Sequence, residues 1–188
     1  MATGSAKAKM IAMVGLPVVC VLAVLIPMEE GVVYQTYRDP VGIISSCMGH
    51  TGPELKMGQR FTKEQCDEQM WVDLVKHAEP AMKCSGSPFG PRGVAAIDFA
   101  YNKGVGNFCR STFAKKLAAR DPLACDEPLR WVYADNGRLD CRILSNNCYG
   151  LVKRAVRTKA ICSGDLSGLG VLVDFGPDIG SVQAGATP

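Results

Sequence analysis

The chain has 188 residues, of which 47% are hydrophobic and 21% are charged, and its formal net charge is +3. This length suits about one domain, and the apolar content excludes a chain that is disordered throughout. Because 18 acidic residues nearly balance 21 basic ones, we expect no nucleic-acid partner bound through bulk charge.

An uncharged run of 19 residues, 10–28, dominates the N-terminal part of the chain. As a helix it would be about 28 Å long, close to the ~30 Å hydrocarbon core of a bilayer. Lys7 and Lys9 precede the run, and Glu29 and Glu30 follow it. Because basic flanks stay on the cytoplasmic side, we predict a single-pass segment with a cytoplasmic N-terminus and an exported remainder.

The run is a poor permanent anchor, because Pro17 removes a helix hydrogen bond near its middle and small residues dilute its apolar surface. Other interpretations are a cleaved signal peptide, a lipoprotein signal ending at Cys20, and a buried core helix of a soluble protein. There is no A-x-A site before Glu29, and the bulky Val19 precedes Cys20 where a lipidation signal needs a small residue. A core helix would usually carry a polar face. We therefore favour an uncleaved export anchor.

The segment 34–52 is predicted to form a small β-hairpin or meander, because proline and glycine punctuate it with turns. A capping box at Thr62 and helical spacing of apolar residues predict a helix over 62–79 that ends before Pro80. Further helices are predicted over 93–101, 111–119, 123–133 and 151–161. The body should therefore be mostly helical, with one small sheet.

Nine cysteines are too many for an ordinary cytosolic protein, and they lack the paired C-x-x-C spacing of a zinc module. They indicate an oxidising compartment. Cys20 lies in the apolar run, apart from the other eight, so we expect up to four disulfides and one special thiol. The pairing cannot be deduced. Cys141 and Cys148 bracket what looks like an insertion and are candidates for one bridge, with pairing elsewhere equally open.

Three polar side chains follow the apolar run: Glu30, Asp39 and Ser45, with the spacing E-x8-D-x5-S. If the chain folds back and aims them into one cleft, they suit glycoside hydrolysis. There an acid protonates the leaving oxygen, while a second carboxylate orients water or stabilises positive charge, and a hydroxyl can hold that water. Such a set is commonplace, so a charged helix end, a turn aspartate and a solvated serine are the alternative interpretation.

Four segments carry further motifs: MEEGVVYQTYRDPVGIISSCMGHTG (28–52), FAYNKGVGNFCRSTFAKKL (99–117), LRWVYADNGR (129–138) and GLVKRAVRTKAIC (150–162). In this order they resemble the phage muramidases of glycoside hydrolase family 24. The resemblance implies an α+β, lysozyme-like fold with a small β-sheet lobe and a larger helical lobe, here with an N-terminal apolar helix.

Hydropathy, composition and this resemblance together predict three parts of the chain. They are a membrane-like segment over 10–28, a muramidase domain over 29–162 and a tail over 163–188. The tail contains no Lys or Arg and closes on QAGATP, so we expect it to be flexible. Within it, Leu169–Phe175 is apolar enough to dock on the body.

The resemblance also implies hydrolysis of the β-1,4 bond between N-acetylmuramic acid and N-acetylglucosamine in peptidoglycan, without a metal or cofactor. We expect a monomer. By position, Glu30 is the general acid and Asp39 the second carboxylate, while Ser45 stands where the family usually has threonine. Glu29 is the rival acid, but only Glu30 has both the following Gly31 and the family's spacing.

The candidate substrate-binding residues are His50, Tyr101 and Asn102. His50 is expected rather to be a structural hydrogen-bonding residue, and helix-turn structure is the alternative for the other two. The last predicted helix also carries a basic cluster, formed by Lys153, Arg154, Arg157 and Lys159. Such a cluster either attracts the anionic cell wall or, more commonly, forms a solvated helix face.

The apolar run resembles the signal-anchor-release segment of one branch of these endolysins. That implies an inactive form held uncleaved at the host inner membrane through residues 10–28, and release to the periplasm when a phage holin depolarises the membrane. Extraction would then free Glu30 to join Asp39. A redox switch, in which Cys20 exchanges with a bridge, is a further hypothesis, and a small apolar role is its alternative.

Two other functions stay open. The chain could be a membrane-tethered, catalytically silent peptidoglycan-binding protein with a lysozyme-like fold, for which Ser45 in place of threonine is the best support. It could also be a secreted, host-derived lysozyme-like enzyme with a cleaved signal.

Overall fold

The computed structural model describes residues 5–39 and 42–176. Its α-helices are α1 (Ala6–Val14), α2 (Leu16–Glu30), α3 (Lys63–Cys84), α4 (Gly90–Lys103), α5 (Val105–Arg110), α6 (Thr112–Ala118) and α7 (Gly150–Cys162). Its strands are β1 (Val33–Arg38), β2 (Ile44–Cys47), β3 (His50–Thr51), β4 (Tyr133–Ala134) and β5 (Leu139–Asp140). A 3₁₀ helix, Pro122–Arg130, joins α6 to β4. Helices predominate over small antiparallel sheets, which confirms the predicted α+β class.

The apolar run folds as two helices, because the chain turns at Gly15 between α1 and α2. Gly15 has φ +85° and ψ 156°, a backbone region that is essentially reserved for glycine. Pro17 falls in the first turn of α2, where its missing N–H costs no helix hydrogen bond. Over the described ranges, no helix has the length and hydropathy needed to cross a membrane.

Both N-terminal helices lie in the core of the protein, where α1 packs on α3 and α2 packs on α4. The buried residues of the run are Met10, Val18, Val19, Val21, Leu22, Leu25 and Ile26. They share one hydrophobic cluster with Trp71 and Leu74 of α3 and Ile97 of α4. Since full burial of such a side chain is worth roughly 1.5–3 kcal/mol, the run contributes directly to the stability of this folded form.

The first sheet is an antiparallel meander in the order β1-β2-β3, which confirms the hairpin or meander predicted over 34–52. In the central strand β2, Ser45 pairs with Tyr37 on one side and with Thr51 on the other. The prediction of one small sheet is wrong, because β4 and β5 form a second, two-stranded sheet. A tight 3₁₀ turn at Asp135–Gly137 reverses the chain between them.

Helix α3 begins as predicted and ends later. Thr62 Oγ1 accepts a hydrogen bond from the Gln65 N–H, and the Gln65 side chain accepts one from the Thr62 N–H, which confirms the capping box. The helix continues past Pro80 to Cys84, because its last turn is buried against the helical body and Cys84 is tied to α5 by a disulfide.

The α-helix predicted over 123–133 is also wrong. The chain forms the 3₁₀ helix Pro122–Arg130 there and then enters the strand β4 at Tyr133. Pro128 lies inside this segment and has no N–H to donate, so a regular α-helix would lose a hydrogen bond at that point.

Four disulfides join eight of the nine cysteines, in the pairs Cys47–Cys66, Cys84–Cys109, Cys125–Cys162 and Cys141–Cys148. The expected count of bridges is confirmed, and so is the candidate bridge across the insertion. Cys20 is free and exposed on α2.

The chain after α7 turns back onto the body. Leu169 is buried, and Val171, Val173 and Phe175 pack against the cluster that holds the N-terminal helices. Residues 177–188, the rest of the predicted tail, lie outside the described residues.

Candidate active site

Glu30, the last residue of α2, meets the guanidinium of Arg154 on α7. Arg154 Nη1 donates to Glu30 Oε1 at 2.6 Å, and Nη2 donates to Asp98 Oδ1 on α4 at 2.7 Å. Thr158 Oγ1 donates to the other carboxylate oxygen of Asp98 at 3.0 Å. The side chains of Arg154 and Asp98 are 9% and 2% exposed, whereas that of Glu30 is 23% exposed. Glu30 is therefore the solvent-accessible end of a buried charge network.

Arg154 stays protonated and positively charged. Burial lowers the pKa of Arg154, but the carboxylates of Asp98 and Glu30 outweigh that effect and raise the pKa above its ordinary value. The guanidinium is thus a fixed cation that orients Glu30 from behind.

Glu29 makes a parallel contact, because Arg157, one turn beyond Arg154 on α7, donates to its carboxylate. Two carboxylates at the C-terminal end of α2 face the negative end of the helix dipole, which is unfavourable. The two arginines lie three residues apart on one face of α7 and offset that cost. The Glu29 side chain is 9% exposed, so Glu30 is the more accessible of the two acids.

Asp39 lies in the turn that joins β1 to β2. Its Oδ1 accepts a hydrogen bond from the Ile43 N–H at 2.8 Å, and its own N–H donates to the Ile43 carbonyl at 2.9 Å. Its carbonyl accepts a hydrogen bond from the Gly42 N–H at 2.9 Å. These bonds hold the aspartate at the end of the hairpin. The intervening residues 40 and 41 lie outside the described residues.

Tyr37 connects the three residues predicted to be catalytic. Ser45 is its register partner, and directly opposite residues of an antiparallel pair share one face of the sheet. Burial, followed by the carboxylates of Glu30 and Asp39, raises the pKa of Tyr37. Both carboxylates are therefore near enough to act on one phenol. Glu30, Asp39 and Ser45 thus share Tyr37 as a neighbour, the first two through charge and the third through strand pairing; sequence reasoning did not single out Tyr37.

Ser45 is 2% exposed, and strand alternation separates it from its neighbour Ser46. Ser46 faces α3, where its hydroxyl donates to Gln69 Oε1 at 3.0 Å. The face that carries Ser45 is consequently the one shared with Tyr37.

His50 belongs to the opposite, α3 side of the sheet, since its register partner is Ser46. Its Nδ1 lies 2.6 Å from Asp73 Oδ2, and its Nε2 lies 2.7 Å from Glu54 Oε1. Both ring nitrogens thus have protein partners. This arrangement favours the structural role, and it does not bring His50 to the group around Tyr37.

Tyr101 and Asn102, near the end of α4, have different surroundings. The Tyr101 hydroxyl donates to the Met48 carbonyl at 3.1 Å, which links the helical body to the sheet. Burial, followed by the carboxylates of Asp73 and Glu30, raises the pKa of Tyr101, so it stays a protonated donor. Asn102 lines a small cavity next to Arg154.

The basic cluster of α7 is not a free cationic patch. Arg154 and Arg157 bind the two glutamates, and Lys159 Nζ lies 2.6 Å from Asp126 Oδ1. Among these four cations, Lys153 alone makes no ion pair with any residue that the structure describes. Arg154 and Arg157 lie on the packed side of the helix, so the main effect of the cluster is to neutralise the negative charges of Glu29, Glu30 and Asp98.

Arg154 and Asp98 are site residues that sequence reasoning missed. Arg154 precedes Thr158 and Ile161 at helical spacing, but the burial of those two positions is known only from the structure. A charged residue on an otherwise buried stripe is rarely there without a charged partner.

A small antiparallel sheet set against a helical body is the architecture of a lysozyme-like fold. The family model described as phage lysozyme matches residues 28–158, which is more than half of the chain. The chain belongs to the phage lysozyme family.

Its similarity to individual phage proteins covers much of this region. The chain is 36% identical over 138 residues to a SAR-endolysin of Escherichia phage 933W, covering 71% of this chain and 77% of that protein. It is 38% identical over 109 residues to a SAR-endolysin of Bacteriophage PS119, covering 56% of this chain. This second match spans 64% of the PS119 protein, less than two thirds of its length.

A solved structure has the same fold. It is the endolysin from Escherichia coli O157:H7 phage FAHEc1, which superimposes with a TM-score of 0.65 at 23% identity. The superposition covers 79% of this chain and 92% of that one. At 23% identity, this similarity shows a shared fold and nothing about function.

Proposed function

We propose that the chain is an endolysin that hydrolyses the β-1,4 bond between N-acetylmuramic acid and N-acetylglucosamine in peptidoglycan. Membership of the phage lysozyme family supports a muramidase. The observation that carries the choice of residues is the joint effect of Glu30 and Asp39 on the pKa of Tyr37. Two carboxylates whose charges act on one phenol, with Ser45 as the strand partner of that tyrosine, support a common site for the three residues.

In this proposal Glu30 gives its proton to the leaving glycosidic oxygen. Arg154 binds Glu30 Oε1 from the protein side, which leaves the other oxygen to face the substrate. Asp39, oriented by the Ile43 N–H, directs a water or stabilises the positive charge that develops on the sugar. The Ser45 hydroxyl holds that water. This chemistry uses carboxylates alone.

We also propose that residues 10–28 hold an inactive form at the host inner membrane until a holin depolarises the membrane and the protein is released to the periplasm. The names of the PS119 and 933W relatives support this. Leu22, Leu25 and Ile26, which lipid would cover in the membrane, are fully buried here, so extraction exchanges one apolar environment for another. While α2 stays in the bilayer, Glu30 cannot reach Arg154.

The activity test is the loss of turbidity of outer-membrane-permeabilised cells with wild type and with Glu30→Gln. Glutamine keeps the size of the side chain and removes its proton, so we expect a fall of about 10²-fold or more in rate. Glu64→Gln, at an exposed position of α3, is the matched control and should keep full activity. Full activity in Glu30→Gln would remove Glu30 from its role. An inactive wild type would favour the catalytically silent wall-binding protein.

Release is tested separately, by measuring intact mass and muramidase activity in membrane and periplasmic fractions before and after the membrane potential is collapsed. We expect full-length protein to move to the soluble fraction and gain activity. Full-length protein that is active while still in the membrane fraction would overturn the release proposal and leave the muramidase standing.

A further inference from the structure

Two cationic donors next to Asp98 have no hydrogen-bond partner among the residues that the structure describes. Arg154 is 8% exposed, yet its Nε–H makes no hydrogen bond to any described residue. The ammonium of Lys103, the partly buried last residue of α4, likewise makes neither a hydrogen bond nor an ion pair with any residue in 5–39 and 42–176, although the Lys103 carbonyl accepts a hydrogen bond from Asn107. The other two nitrogens of Arg154, Nη1 and Nη2, each donate to a carboxylate, so Nε is the exception within this guanidinium.

Both residues line the same small cavity, together with Asn102 and Trp131. Its volume is about 10 Å³, which is room for one water or for the oxygen tip of a larger group that enters from outside. Because Arg154 also donates to Glu30, the cavity lies one side chain away from the proposed acid.

The charges around this cavity favour an anion. Burial, followed by the positive charge of Arg154, lowers the pKa of Lys103, which means that its ammonium is held in an unfavourable place. When Glu30 carries the proton that the acid step needs, Asp98 is the one remaining described carboxylate whose charge acts on Arg154 and Lys103. One positive charge is then uncompensated, and an incoming carboxylate would balance it.

We propose that Lys103 and the Arg154 Nε–H form a subsite for a carboxylate of the peptide stems of peptidoglycan. The inference rests on the proposed muramidase function and deepens it, because it names the charged group that is recognised next to the scissile bond. A carboxylate accepts charge-assisted hydrogen bonds from both an ammonium and a guanidinium N–H. The hydroxyls and acetamido groups of the glycan are neutral and would not balance the extra charge.

The test compares two polymers that differ only in charge. One is native peptidoglycan, and the other is the same material after carbodiimide coupling with methylamine has converted its carboxylates to neutral amides. On native polymer we expect Lys103→Met to raise KM about tenfold and to change kcat less than twofold. On amidated polymer the two proteins should have the same raised KM. Lys103→Arg should restore part of the native KM, and Lys115→Met, at an exposed lysine of α6, should match wild type on both polymers.

Thermal unfolding separates binding from folding. Lys103→Met removes a poorly solvated charge, so its Tm should rise while its KM worsens, a combination that a purely structural lysine would not give. An unchanged KM on native polymer, or an equal rise on both polymers, would overturn the subsite and leave the cavity to a water. Wild type that fails to cleave native peptidoglycan would overturn the muramidase proposal, and the subsite with it.

Discussion

Arg154 on α7 donates a hydrogen bond of 2.6 Å to Glu30, which lies 124 positions earlier at the end of α2. The same guanidinium binds the buried Asp98 on α4. One side chain thus joins three helices, and it holds the proposed acid in place only when α2 is packed in the core. The position of Glu30 is therefore coupled to the docking of the whole N-terminal segment.

Replacing Arg154 should harm both stability and catalysis. Arg154→Gln leaves the buried Asp98 without its cation, so we expect a loss of about 3 kcal/mol in the free energy of unfolding. We also expect kcat to fall at least about tenfold, because Glu30 loses its orienting partner. Urea unfolding and turbidity assays measure the two effects. The exposed neighbour Lys153→Gln is the control and should change stability by less than about 0.5 kcal/mol; an unchanged kcat in Arg154→Gln would contradict the positioning role.

The two consecutive glutamates should differ in function. Glu29→Gln weakens the contact with Arg157, and we expect it to cost about 1 kcal/mol of stability while kcat stays within about threefold of wild type. Glu30→Gln should retain most of its stability and lose its activity. Parallel kinetics and urea unfolding of both variants check this. The opposite pattern, with Glu29→Gln inactive and Glu30→Gln active, would exchange their roles.

Gly15 should influence how much of the protein is in the proposed membrane-held form and how much is in the folded form. Gly15→Ala strains the φ of +85° in the folded protein, by about 1–3 kcal/mol, and it favours a continuous membrane helix by about 1 kcal/mol. We therefore expect a larger share of protein in the membrane fraction and slower release.

The matched control for that shift is Gly58→Ala, which lies outside the run at a φ of +89°. It should lower stability without changing the distribution between fractions. If both variants were distributed alike, the turn at Gly15 would have no part in release.

The lowered pKa of Lys103 predicts a pH dependence of stability. Below its folded-state pKa, lysine is charged in both states and the cost of burial is fully present. As the pH rises from there toward the ordinary value of 10.5, the unfolded chain binds more protons than the folded one, so the folded state gains stability. The Tm advantage of Lys103→Met should therefore be largest at neutral pH and shrink above it.

These scans need one precaution against thiol exchange at alkaline pH, because Cys20 is free and exposed. Wild type and Lys103→Met should both carry Cys20→Ser. A Tm advantage that stays constant from neutral to alkaline pH would show that Lys103 does not titrate as the structure implies.

The disulfides should contribute different amounts to the free energy of unfolding, according to the length of the loop that each one closes. Cys125–Cys162 spans 37 residues and Cys141–Cys148 spans 7. Loop entropy predicts a loss of about 4 kcal/mol when the first bridge is replaced by paired serines and about 2 kcal/mol for the second. Urea unfolding of the two double variants tests this ranking, and an equal loss would point to strain or residual structure in the unfolded chain.

Features that depend on neighbours in the chain were predictable. The capping box at Thr62, the meander over 34–52 and the excess of bridge-forming cysteines all follow from residue types at short spacing. The candidate residues Glu30, Asp39 and Ser45 came from spacing and from the resemblance to a family. None of this required knowledge of which helix packs on which.

Long-range partners needed the tertiary structure. Nothing in the local pattern pairs Arg154 with Glu30, and the same α7 residues look like an ordinary basic helix face until the packed side is known. The apolar run reads as a single helix, yet Gly15 divides it because the folded core accepts two shorter helices on α3 and α4. Burial and charge pairing are decided by contacts between distant segments, and these contacts place the apolar run in the core of the folded protein.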